Sequence, residues 1–246
     1  MGGYDLGHLS VSSDNPNINI DSGSMGGYYG EFRGETTDLW GRLTADYSTG
    51  NPTASADAIA LNARLAGSLS EKYFKIEGDF GGKVADFDGG IPSTLTVYGG
   101  LGYRDRKTAI AGFDSVDYTW YYGAIGINYV ARLKRLTFGV DGAVEIPFSP
   151  TITWSVTGFP SESTSSVTPN IAYRVELPIT FDVYKTNYNF INTIPQTRVF
   201  LFTTPYWQYW KIPAYDIKFP DGSEISNGAM STNIYGARVG VGVTFE

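Results

Sequence analysis

Hydrophobic and polar residues alternate with a period of two along most of this chain, the pattern of strands whose successive side chains point to opposite faces. Leu39, Gly41, Leu43, Ala45 and Tyr47 stand against Trp40, Arg42, Thr44 and Asp46. The same alternation predicts strands at Tyr29–Phe32, Ile59–Leu69, Phe74–Phe80, Leu95–Tyr103, Tyr121–Tyr129, Leu136–Phe148 and Ile171–Val183. Val199–Trp210 is apolar on both parities, so its facing stays open, and Asn233–Phe245 closes the chain. No helical period persists. The expectation is an all-β, closed antiparallel barrel of about ten strands, and a missed hairpin would make twelve.

Between the strands, 81–93, 105–117, 149–167 and 212–231 read as loops, with a tight connection near Glu71 and a short basic turn at Arg132–Arg135. A short strand around Ile152, Trp154 and Val156 is left out of the count. Residues 1–22 are polar. Alternation at Leu9/Val11 and Ile18/Ile20 fits an extra strand, a plug or a tail, so the barrel proper is drawn over 23–246.

Alternation does not say which face meets water: a soluble barrel turns its apolar face inward, a membrane barrel outward. Here the opposite face consists largely of Gly, Ala, Ser and Thr, without the dense Lys/Glu cover of a soluble surface. Its isolated charges carry both signs: Arg42, Arg64, Lys75, Arg174 and Arg238 with Glu77, Asp79, Asp141, Glu145 and Glu176. These ten are the candidate lumen-lining residues. Tyrosine and phenylalanine recur near strand ends, as membrane-interface girdles require. No run approaches the ~20 apolar residues of a membrane helix, so in a bilayer the chain would have to close as a barrel.

Composition narrows the picture. A net charge of −7 argues against a nucleic-acid partner, because phosphate binding needs a basic surface. The absence of cysteine removes disulfides and thiolate chemistry.

In the last strand Arg238, Gly240, Val243 and Phe245 stand at the spacing polar, glycine, hydrophobic, aromatic. This resembles the C-terminal signature of bacterial outer-membrane β-barrels, although the signature usually ends on the aromatic and Glu246 follows here. The resemblance implies residence in the bacterial outer membrane, contact with its lipid, and recognition of the last strand by the barrel-assembly machinery. Met1 opens on polar sequence, which reads as the start of a mature exported chain whose signal peptide is gone.

Enzymes of such membranes mostly use a histidine with serine or carboxylate partners. The single histidine is His8, in the polar N-terminal segment. With no strand histidine to act as base, no enzyme, catalytic residue, metal or cofactor is expected. Asp86-Phe87-Asp88-Gly89-Gly90 lacks the later ligands of a calcium loop and reads as a solvated turn. Tyr206, Trp207, Tyr209 and Trp210 read as an interface girdle before a sugar platform. Eight strands fill their interior and sixteen leave an open channel. The leading expectation is therefore a small porin-like channel passing small polar solutes through a narrow mixed-charge lumen. The alternatives are a non-conducting barrel whose outer loops bind a ligand or surface partner, and a purely structural barrel.

Overall fold

The computed structural model describes residues 1–14, 18–58, 63–110, 115–155, 163–166, 170–185, 197–218, 222 and 224–245. The alternating segments hydrogen-bond into one antiparallel wall. β1 (Gly2–Ser13) pairs with β2 (Ile18–Glu35). β3 (Leu39–Gly50) and β4 (Thr53–Ala58) make one stave interrupted at Pro52, since both pair with β2 and with β5 (Ala63–Phe87). β6 (Ser93–Ile110), β7 (Ser115–Leu133) and β8 (Leu136–Ser155) follow as successive neighbours.

β9 (Ser163–Ser166) prolongs the wall beside the far end of β8. β10 (Ala172–Glu176) and β11 (Ile179–Lys185) form a second split stave between β8 and β12 (Thr197–Ile212). The split falls at Pro178, which has no N–H to donate. β13 (Tyr215–Lys218) and β14 (Glu224–Asn227) form a separate hairpin. β15 (Met230–Phe245) pairs with β12 on one edge and β1 on the other, so ten staves close on themselves. Closure gives each of the ten staves a neighbour on both sides.

The membership of the ten staves differs from the sequence expectation. Gly2–Ser13, which by sequence fits a strand, a plug or a tail, is a full stave pairing with both ends of the sheet. The predicted strands at Ile59–Leu69 and Phe74–Phe80 belong to one 25-residue strand, with Glu71 inside it and not in a turn. Residues 105–110 and 115–117 are strand, 81–93 shrinks to a connection at 88–92, and Ile152 continues β8. Ile59, Leu61, Asn62, Val156, the tip Pro160–Glu162, Tyr188–Gln196, Pro220, Asp221 and Glu246 lie outside the described residues.

The strands look longer than their apolar alternation because the wall reverses polarity partway along. Over most of its height the apolar parity faces out, with Leu43 50%, Leu101 69% and Ile125 62% exposed, while charged side chains are buried inside. This stretch ends at an aromatic belt on the outer surface. Phe74, Tyr103, Tyr121 and Phe148 succeed one another with ring centroids 6.3, 5.2 and 6.3 Å apart. Tyr173, Tyr209 and Trp207 continue it, and His8 lies 5.0 Å from Tyr235.

Past the belt the outward side chains become polar: Lys72, Asp105, Lys107, Asp117, Thr119, Thr153 and Lys211. There apolar side chains fill most of the interior, with Leu9, Val11, Met25, Tyr118, Ile152, Ile212 and Met230 buried together beside the ion pair of Glu71 and Arg106. The two halves demand different surroundings. An apolar surface facing outward is stable against hydrocarbon, and an apolar core under a polar surface is stable in water. The belt therefore marks a membrane–water interface. The hairpin β13–β14 and the extension β9 stand at this water-exposed end, whereas the opposite end carries the two-residue turn Lys134-Arg135. The two longest connections, 156–171 and 213–229, leave from the first of these ends, which makes it the extracellular one.

Candidate functional site: the filled barrel interior

Inside the membrane-spanning half, charged side chains from opposite walls meet across the lumen. Arg42 on β3 donates to Asp79 at 2.7 Å and to Asp141 on β8 at 3.1 Å. Arg174 on β10 lies 2.6 Å from Glu77 on β5, which also pairs with Lys75 at 3.1 Å. Lys75 reaches Glu145 at 3.1 Å, and Arg104 donates to the same carboxylate at 2.6 Å. Arg238 on β15 spans Asp46 (2.7 Å) and Glu176 (2.9 Å).

Of the ten candidate residues, nine therefore sit in one network, each no more than 8% exposed. The side chain of the tenth, Arg64, lies outside the described residues. Of the signature residues, Arg238 and Gly240 point inward, while Val243 and Phe245 face lipid.

Sequence reading misses five members of the interior: Asp5, Asp46, Glu71, Arg104 and Arg106. Asp46 stands on the polar parity and carries the signal that could have found it. Asp5 hides in the polar N-terminal segment, and Arg106 in an expected loop, although Arg104 and Arg106 continue the parity of Gly100 and Gly102. Glu71 receives both Arg106 Nε (3.1 Å) and Nη2 (3.0 Å), with Thr108 Oγ1 at 2.7 Å. Among the described residues eight buried carboxylates face six buried cations. Pairing is the condition on which such charges can leave water at all.

Arg104 is also enclosed by aromatic rings, with its guanidinium 4.7 Å from Trp210, 5.2 Å from Tyr122, 5.5 Å from Trp120 and 5.9 Å from Tyr73. At the other end of the network Trp40 and Tyr98 pack at 5.4 Å, and Tyr98 donates to Asp141 at 2.5 Å. Two interior glycines make room for these rings. A Cβ on Gly126 would stand 2.3 Å from Tyr98 Cζ, and one on Gly102 would stand 2.2 Å from Tyr122 Cζ. Gly126→Ala is therefore expected to displace Tyr98 from Asp141 and lower stability by about 1–3 kcal/mol, the usual cost of overpacking. Urea unfolding of the refolded barrel measures it, and an unchanged midpoint would count against this packing.

Three other sequence readings change. Tyr206, Trp207, Tyr209 and Trp210 are not one cluster: Tyr206 and Trp210 are buried inside, whereas Trp207 and Tyr209 lie in the outer belt. A strand aims alternate residues through opposite sides of the wall, so no single platform forms. His8 is not in a tail but on β1, against Tyr235. Asp86 belongs to β5, where Lys83 approaches it at 3.3 Å and Thr94 donates to it at 2.9 Å.

Closed antiparallel wall, apolar outer band, aromatic belt and charged interior together define the class: the β-barrel of bacterial outer membranes. Comparison with solved structures agrees. The crystal structure of the outer membrane protease OmpT from Escherichia coli aligns with a TM-score of 0.57 at 5% identity, covering 100% of this chain and 94% of that one. The translocator domain of autotransporter NalP from Neisseria meningitidis aligns with a TM-score of 0.34 at 10% identity, over 96% of this chain and 88% of that one. The beta domain of the Bordetella autotransporter BrkA gives 0.28 at 16%, over 97% and 99%. No protein-family model matches the chain, and no curated protein matches it.

At such identities the likeness is one of fold. It nonetheless corrects the expectation that the chain is not an enzyme. A protease is built on this same architecture, so exclusion from the lack of a strand histidine no longer stands. Its premise fails as well, because His8 is on a strand.

Proposed function

We propose that this protein is a non-conducting outer-membrane barrel whose working surface is its extracellular end. The observation that supports this reading is the filling of the lumen. Arg42, Arg174 and Arg238 each reach carboxylates from other staves, and all three are at most 8% exposed. A water-filled bore would leave such groups hydrated. The strands run past the membrane belt into a water-exposed rim with an apolar core of its own, which supplies a rigid platform for recognition.

The competing reading, a narrow channel for small polar solutes, draws on the same mixed-charge rows and requires the network to part. Single-channel recording in planar bilayers separates the two. The expected result is insertion without ohmic steps. Discrete steps from the wild-type barrel, altered by neutralising Glu77 or Arg174, would favour the channel.

A further inference from the structure

The turn between β7 and β8 concentrates positive charge at the periplasmic end. It reads Arg132-Leu133-Lys134-Arg135, and all three cations are exposed. None of them meets a carboxylate among the described residues. The acids of the flanking strands at this end are already engaged: Asp86 of β5 by Lys83 at 3.3 Å and Thr94 at 2.9 Å, and Asp182 of β11 by Arg198. That leaves Asp88, in the connection between β5 and β6, as the one unpaired acid of these neighbouring elements among the described residues. Elsewhere on the same rim the signs are mixed, with Arg33 3.6 Å from Glu35, as on an ordinary solvated surface.

The turn gives up backbone ease to carry this charge. A two-residue hairpin turn favours Asn or Gly where φ is positive, yet Lys134 occupies that position with φ 53°. Apolar side chains accompany the cations. Leu133 is exposed between them, and Ile91 is exposed in the connection whose Pro92 carbonyl accepts the Arg132 N–H at 2.9 Å.

The height of the turn follows from strand geometry. Tyr121 of the aromatic belt and Leu133 share the outward parity of β7, twelve residues apart. With a rise of ~3.3 Å per residue and a tilt of ~40°, that stretch crosses about 30 Å of membrane. The outward apolar band of such barrels is ~25 Å tall, so the turn stands at the headgroup level of the periplasmic leaflet. Uncompensated cations beside exposed apolar side chains at that level suit a ligand that is both anionic and lipidic.

We propose that the β7–β8 turn binds the phosphate of an anionic phospholipid in the periplasmic leaflet. Arg132, Lys134 and Arg135 hold the headgroup, and Leu133 and Ile91 rest against its acyl chains. This assigns a second working surface at the end opposite the extracellular platform, and it stands or falls independently of that platform.

The test is titration of dioctanoyl phosphatidylglycerol into the barrel in phosphatidylcholine nanodiscs, with partitioning into barrel-free nanodiscs subtracted. One saturable site is expected. Each cation removed should weaken it about fivefold. The triple variant Arg132→Gln/Lys134→Gln/Arg135→Gln should therefore lose about a hundredfold while keeping the heat-modifiable gel mobility of a folded barrel. Lys134→Asn removes one charge but suits the turn, so its fivefold loss should come without loss of stability, which keeps the test open should the triple variant fail to fold. Equal affinity for dioctanoyl phosphatidylcholine would overturn the headgroup assignment. Equally tight binding of glycerol phosphate would show a site for soluble anions and overturn the lipid. No saturable binding, or affinity unchanged in Lys134→Asn, would overturn the site.

Discussion

Replacing Arg174 with alanine should destabilise the barrel by about 3–5 kcal/mol, the range for breaking a buried ion pair by removing one partner. Arg174 stands 2.6 Å from Glu77 and 3.5 Å from Glu176, with Glu145 and Asp141 within 3.9 Å. Eight carboxylates already outnumber six cations among the described residues of this interior. The alanine variant leaves several acids facing one another in a poorly hydrated space. Against a typical ~5–15 kcal/mol for a whole domain, the loss should be plain as a lowered urea midpoint in detergent micelles. Arg174→Lys keeps the charge but not the planar fork, and should fall between the two. An alanine variant as stable as the wild type would mean that water or relaxed side chains hydrate the network, which would also weaken the case for a closed lumen.

The second large effect is positional. Ile125 faces outward at 62% exposure, midway between Tyr121 of the belt and Tyr129. Ile125→Arg should cost about 2–4 kcal/mol, as a cation at the bilayer midplane does. Thr153 also faces outward, but on the far side of the belt, beside Asp117 of the neighbouring strand. Thr153→Arg should stay within about 0.5 kcal/mol, as surface substitutions in water do. Refolding into lipid vesicles followed by urea titration compares them directly. Equal penalties would show that the aromatic belt does not mark the interface.

Much of the membrane-spanning wall is legible in the chain itself. Leu39 to Ser48 alternates in sequence and alternates again in exposure, residue for residue. Where the signal fails, it fails at the polarity reversal. Asp105, Lys107 and Asp117 read as loop because polar residues on both parities end a membrane strand, yet they continue β6 and β7 as an ordinary water-exposed sheet. Val199–Trp210 resists assignment because Phe202, Tyr206 and Trp210 are inward aromatics facing outward ones across the same strand.

The period of two, the apolar parity and the mixed-charge opposite face are properties of single strands, and the order of residues is enough to set them. Two other features depend on folding in three dimensions: Gly2–Ser13 closes the ring, and Arg42 meets Asp141 across the lumen. Each of these joins residues far apart in the chain, and only the closure of the sheet brings them within bonding distance.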